Sequence, residues 1–500
     1  MRALGKGRGF LARAAAGTAL IVVAAAGSAA LVLALGLGER EPLDVRVARI
    51  ASRASAAAAP EADPFAWDQS RRSEFEARAA TGSSHVIYEL SPGGVVASAK
   101  RTAKFREKIE AAAVRHGVDP DTLEAIVFLE SAGRPQVIAG PTPESAAGLA
   151  QIIPSTATEL LGMRVDLARS IELTNAMANA ESSKQYARLA AQRAAVDERF
   201  DVEAALDGAG RYLEIASKRF GADDLAIASY HMGIGNLETV LRAYAREDEG
   251  PIADVVSARG LSYAQVYFDS SPFSHRAAYD LLTGFADESS EYPWKVEASR
   301  EIMRLYRNDP ERLAERAALA TSKATLEELF HPESETEVFD DPDELEDALG
   351  DEELVALPFD PSLGWIPGKQ MGELAPKIDR EPDLYRALRP EALATLSYLA
   401  GLVQRESKTQ SPLVVTSTIR DRSYQDLLIA SNPEATPEYS LHTTGWAFDI
   451  KRDYASKDQA VAFQHAIDRL SALALIDYAV EPGAIHITVS ELGAELLEAN

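Results

Sequence analysis

An uncharged apolar stretch from Ala14 to about Leu37 constrains this chain more than any other feature. At roughly 1.5 Å per helical residue, such a run is long enough to cross a bilayer. Arg2, Lys6, Arg8 and Arg13 precede it, and Glu39, Glu41 and Asp44 follow. Basic residues are retained on the cytoplasmic side, so the expectation is a cytoplasmic tail (1–13), a single-pass signal anchor (14–37) and an exported remainder. A cleaved signal peptide is the rival reading. Its apolar region is normally only about 7–15 residues, so the length favours an uncleaved anchor. The stretch has no polar face, which argues against an ordinary buried helix.

The remaining length exceeds one hydrophobic core, so several domains are expected. A formal net charge of −26 repels phosphate backbones and sets nucleic-acid binding aside. The chain has no cysteine, which excludes disulfides, thiolate catalysis, zinc–sulfur sites and a lipidated cysteine anchor. Residues 38–98 read as a stalk: Ala56 to Pro64 is rich in Ala and Pro, and Ser91-Pro92-Gly93-Gly94 marks a turn. Helical periodicity from Ala99 to about Ala320, as in Phe105-Ile109-Ala112, predicts an all-α domain (99–325). Glu333 to Glu353 holds 12 acidic residues among 21 and no Lys or Arg. Such a run repels itself, and the expectation is a disordered, extended acidic linker (326–360). Beyond it, Leu413–Ile419, Trp446–Ile450 and Ile485–Val489 are β-rich, with a helical segment at Lys457–Leu475. That texture predicts a small α+β domain (361–500).

Within the helical region, Asp119-Pro120-Asp121 is a helix start, with Asp as cap and Pro in the first turn. Leu123, Ile126, Val127 and Glu130 then fall at i, i+3, i+4 and i+7, placing Glu130 on the apolar face. A carboxylate there is partly desolvated, which raises its pKa and suits it to general-acid work near neutral pH. Taken alone, a Glu at a helix end more often snorkels to water.

Its surroundings change the reading. Glu130-Ser131 is followed by Gly148-Leu149-Ala150-Gln151-Ile152-Ile153-Pro154-Ser155-Thr156-Ala157, and then by Ala228-Ser229-Tyr230-His231-Met232-Gly233. This ordered set resembles the soluble lytic transglycosylases, whose domain is helical and lysozyme-like. The resemblance covers about Ala99 to Tyr244. It implies that Glu130 is the catalytic acid/base. It also implies a sugar cleft with Ser131, Gly148, Leu149, Gln151 and Tyr230 on the substrate side, and peptidoglycan as partner; His231 reads equally as a polar cleft residue or a structural histidine. The implied reaction cleaves the bond between N-acetylmuramic acid and N-acetylglucosamine with an internal 6-hydroxyl as nucleophile, giving a 1,6-anhydro sugar without a cofactor. Ala150 replaces the family's Met, Ser229-Tyr230-His231 replaces Ala-Tyr-Asn, and Ala132–Ala147 is slightly long, with a rigid Gly140-Pro141-Thr142-Pro143. A hydrolytic lysozyme needs a second carboxylate. Glu144, near in sequence, keeps that reading open.

In the second domain, His442 and Asp449 stand seven apart in Ser440-Leu441-His442-Thr443-Thr444-Gly445-Trp446-Ala447-Phe448-Asp449, and His486 follows on its own strand. Two His and one Asp with an open fourth position form a plausible catalytic Zn2+ set. The motif is similar to that of zinc D-alanyl-D-alanine carboxypeptidases and related peptidoglycan peptidases. Thr416-Ser417-Thr418-Ile419-Arg420 with Gln425 resembles their Ser-Gly-Tyr-Arg and Gln motif, which implies that Arg420 and Gln425 meet the substrate. The family's catalytic acid lies three residues before the last His, where this chain has Gly483. Glu481 is the nearest acid, brought to the site only if Pro482-Gly483 turns the chain. The expected whole is a membrane-anchored wall enzyme with a transglycosylase domain and a zinc domain. The competing readings are a non-catalytic wall-binding scaffold and a hydrolytic muramidase.

Overall fold

Asp119 starts the helix that organises the first half of the molecule. Its carboxylate accepts from the Thr122 amide, Pro120 occupies the first turn, and Ala132 in the left-handed region ends the helix Pro120–Ser131. The computed structural model describes residues 42–285, 287–320, 326–430 and 439–498. The described residues from Ile50 onward form one compact unit. The proposed anchor, Ala14–Leu37, lies outside the described residues. Among the described residues, no helix is long and apolar enough to cross a membrane.

Leu123, Ile126 and Val127 are fully buried, because the helix Pro120–Ser131 is enclosed on several sides. The helices Tyr292–Asn308, Arg106–His116 and Val95–Ala103 pack around it. Glu124, also buried on this helix, is matched by two guanidiniums, Arg106 at 2.9 Å and Arg307. A buried carboxylate held between two cations is stabilised as a charge. Among the described residues, Glu130 has no such partner.

The C-terminal region carries a five-stranded sheet. Its strands are β2 (Trp365–Pro367), β4 (Leu413–Ser417), β5 (Ala447–Lys451), β6 (Ile476–Val480) and β7 (Ala484–Val489), in the order β2-β4-β5-β7-β6. The β2–β4 pair is parallel and the others are antiparallel. A two-stranded sheet pairs β1 (Val355–Ala356) with β3 (Ala387–Leu388). The helices Pro390–Ser407 and Lys457–Ala472 pack on each other and on the main sheet. The three β-rich segments and the helix near Lys457 occur as the sequence predicts; β2, β6 and the helix Pro390–Ser407 carry no equally clear local signal.

Two expected segments are different in the structure. Residues 50–98 of the stalk are packed helices. Phe75 is buried against Trp67 and Phe268, and Phe65 against Tyr398 of the helix Pro390–Ser407. An Ala-rich sequence looks like a spacer because small residues give a weak hydrophobic signal. Small side chains also let backbones approach closely: a Cβ at Gly82 would meet the Ser471 carbonyl at 2.5 Å.

The acidic run is likewise ordered rather than extended. Asp341 caps the helix Pro342–Gly350, accepting from the amides of Asp343 and Glu344. Phe339, Leu345, Ala348 and Leu354 enter one core with Tyr385, Ile419 and Tyr424. The cations missing from the run are supplied from afar: Arg380 meets Asp343 and Glu346, and Arg422 meets Asp340. Acidic residues in a first helical turn also favour the helix dipole. As a result, the two expected domains and their linker form one unit, Ile50–Asn500.

Candidate active site and metal centre

Glu130 ends its helix partly buried beside aromatic rings. Tyr292, at the start of the helix Tyr292–Asn308, donates its phenol proton to Glu130 Oε1 at 2.6 Å. Burial pushes the Glu130 carboxyl up to about 7. The Tyr292 bond opposes the rise and the nearby Glu288 charge adds to it. Desolvation of an unpaired carboxylate is the recognised route to an acid that is protonated near neutrality.

Tyr230 and Tyr292 stack with ring centres 6.2 Å apart, and His231 stacks on Tyr292 at 5.3 Å. Tyr230 donates to the Ala150 carbonyl at 2.9 Å, which ties the third motif to the second. His231 Nδ1 lies 2.9 Å from Ser289 Oγ, and its Nε2 lies 3.8 Å from Glu288, which is itself paired with Lys295 at 2.7 Å. Tyr292, Glu288 and Lys295 were not legible as site residues. Tyr292 and Glu288 act on Glu130 from more than 150 positions away, Lys295 is paired with Glu288, and no motif marks any of the three.

The Gly148–Gln151 loop is held from beneath by a buried ion pair, Arg199 with Asp197 at 2.7 Å. Arg199 also donates to the carbonyls of Pro143, Ser145 and Ile152, anchoring the long segment and its two prolines. Gly148 has φ +81, and a Cβ there would fall 1.8 Å from the Arg199 carbonyl oxygen. Gln151, at φ 46, donates to the Gly148 carbonyl at 2.8 Å.

Two residues expected at the cleft are placed elsewhere. Ser131 is buried and its hydroxyl donates to the Val127 carbonyl, so it serves its own helix. Leu149 is completely buried and fills the core. Glu144 is exposed and accepts from Thr142. The acid whose charge acts on Glu130 is Glu288 instead. His275 packs its ring 4.2 Å from that of Tyr244.

Residues 107–188 match the family model of the Transglycosylase SLT domain. The match supports a lytic transglycosylase acting on peptidoglycan. It spans Glu130 and the Gly148–Gln151 loop and stops before Tyr230, His231 and the whole C-terminal region. No curated protein matches the chain.

In the sheet, register brings four residues into one row across four strands: Ser417, Asp449, His486 and Ala479. Paired residues project to the same face. The short helix Leu441–Thr444 delivers His442 to that face. Asp449 Oδ1 lies 3.1 Å from His442 Nε2 and 2.9 Å from His486 Nδ1. The three prospective ligand atoms lie within 4.8 Å of one another. The outer nitrogens are occupied: His442 Nδ1 donates to the Thr418 carbonyl at 2.7 Å, and His486 Nε2 to Glu327 at 2.7 Å. An imidazole whose far nitrogen donates to an oxygen presents its near nitrogen to a metal, so the residues fit one. Burial, with the Arg420 charge, lowers His442. Burial also works against charge on His486, but Asp449 and Glu327 outweigh it and raise that ring to about 10.

Arg420 donates to Ser417 at 2.6 Å and to Gln425 at 3.0 Å, and lies 3.7 Å from Asp449. With Gln370, Glu373, Tyr424 and Asp449 it lines a cavity of about 190 Å³ beside the triad. Glu481 sits where β6 turns into β7, its amide bonded to the Ala484 carbonyl. Two residues beyond Ala479, it falls on the triad's side of the sheet, and its charge acts on Arg420.

Proposed function

We propose that this chain is a cell-envelope peptidoglycan lytic transglycosylase with Glu130 as its single acid/base. The reading is carried by one observation: within the segment that matches the transglycosylase domain, a partly buried carboxylate that meets no cation among the described residues and accepts the Tyr292 phenol proton, its pKa pushed up by burial. Protonated Glu130 gives its proton to the glycosidic oxygen, and the bond to the muramic acid's anomeric carbon breaks through an oxocarbenium-like state. The resulting carboxylate then takes the proton of the same sugar's 6-hydroxyl as that oxygen closes on the anomeric carbon. Tyr292 holds Glu130 Oε1 in place through both steps. Glu288 is engaged by Lys295, which favours the internal nucleophile over a water activated by a second carboxylate.

The deciding experiment is digestion of purified sacculi followed by mass spectrometry of the products. Anhydro-muropeptides, one water lighter than reducing-end products, are expected. Reducing ends alone would make the protein a hydrolase, and no release of glycan would leave a scaffold.

For the C-terminal region the proposal is a Zn2+ centre held by His442 Nε2, Asp449 Oδ1 and His486 Nδ1, acting on or binding stem peptides. Bound zinc lowers the pKa of a coordinated water and polarises a carbonyl. Arg420, steered by Ser417 and Gln425, is placed to pair with a substrate carboxylate in the adjoining cavity. Glu481 is the carboxylate proposed as proton acceptor. The basic tail and apolar stretch at the N-terminus support attachment to the membrane with both sites on its outer side.

A further inference from the structure

Glu327 belongs to neither motif, yet it reaches the centre of the metal site. It opens the short helix Glu327–Phe330, which follows the last long helix of the helical region, Pro310–Ala320. The residue is buried, and one oxygen, Oε1, accepts from both His486 Nε2 and Thr488 Oγ1, each at 2.7 Å.

The segment that carries it is fastened to the sheet along its length. The Leu326 amide donates to Asp477 at 2.7 Å, and His331 Nε2 donates to the Val489 carbonyl at 2.6 Å. His331 also stacks on Trp446, with ring centres 4.4 Å apart, and receives the Tyr439 hydroxyl on its carbonyl. On the other side, Leu329 packs against the core that contains Phe128 and Leu129, the residues just before Glu130. This segment is therefore fixed to both functional regions.

We propose that Glu327 is the outer-sphere carboxylate of the metal centre, a positioning residue supplied by the chain's helical half that holds His486 as a metal ligand. This rests on the zinc reading above. Glu327 is not itself a ligand: its oxygen lies on the Nε2 side of the ring, while Nδ1 faces Asp449 and the prospective ion. By accepting the Nε2 proton it fixes both the tautomer and the ring's orientation and makes Nδ1 a better donor to the metal. His442 receives the same service from the Thr418 carbonyl, but from within its own sheet. Partners of this kind typically contribute about 10–100-fold to metal affinity. It follows that the metal centre is complete only when residues 326–331 are docked.

The test titrates zinc into full-length protein stripped with chelator, comparing wild type, Glu327→Ala and Glu327→Gln. Cobalt substitution is recorded in parallel by visible absorption. Wild type should bind one zinc. Glu327→Ala should bind it at least about tenfold more weakly, with altered cobalt bands, and Glu327→Gln, which keeps the shape but not the charge, should fall between them. If Glu327→Ala does not fold, the Gln variant decides. Variants matching wild type in both zinc affinity and cobalt spectrum would overturn the role of Glu327. Failure of the wild type itself to bind either metal would instead remove the zinc reading on which the role depends.

Discussion

Tyr292 hydrogen-bonds Glu130 across 162 residues of sequence, and through this bond the helix that covers the acid also holds it in place. The contrast with Glu124, six residues earlier on the same helix, defines the site. Glu124 is buried between two arginines, whereas Glu130 meets the neutral phenol of Tyr292, on which Tyr230 and His231 stack. One carboxylate is tied into a structural ion-pair cluster, and the other is left protonatable for chemistry.

Glu130→Gln should abolish glycan release while raising stability at alkaline pH. The Glu130 pKa rises from 4.5 to about 7 on folding. Between those values the folded state binds more protons than the unfolded one, so stability falls as pH rises. The penalty is absent below the unfolded value and complete above the folded one, on the order of 3 kcal/mol. Melting curves of the two proteins should coincide near pH 4 and separate by pH 8, with the Gln variant more stable. A wild-type rate in the variant, or a gap that is the same at both pH values, would contradict the assignment.

Tyr292→Phe should lower the rate and shift the pH profile. The phenol favours the charged carboxylate, so removing it raises the Glu130 pKa further. The alkaline limb of the rate profile, where the acid is lost, should move to higher pH. An unmoved limb would mean that Tyr292 serves packing alone.

Gly148→Ala should destabilise the fold by more than about 2 kcal/mol. The substitution forces a side chain into a left-handed conformation and against the Arg199 carbonyl, in a loop whose other contacts are fixed by a buried ion pair. Thermal melting measures the loss. A variant as stable as wild type would show that the loop has room to shift.

His442→Ala should leave the protein without stoichiometric zinc, because an Asp and one His seldom retain the ion. Metal analysis after zinc addition and gel filtration checks this, with one ion expected for wild type. Equal zinc content in both proteins would place the ion elsewhere.

The sequence by itself determined the short-range parts of this molecule. The Asp119 cap, the apolar stripe that carries Glu130, the Gly148 loop and the β-strands bearing Asp449 and His486 are written in neighbouring residues, because capping and periodicity act over one or two turns. Only the tertiary structure decided the rest. The acidic run around Pro342–Gly350 folds because Phe339, Leu345 and Leu354 find a core there, and because Arg380 and Arg422, well beyond it in the chain, pair with Asp343, Glu346 and Asp340. The supposed stalk is a packed layer because its small residues fit against backbones that no local pattern reveals. Tyr292 and Glu288 reach Glu130, and Glu327 reaches His486, only through packing. Burial and charge compensation depend on which surfaces meet, so the pKa of Glu130 and the outer coordination of the metal site are properties of the assembled fold.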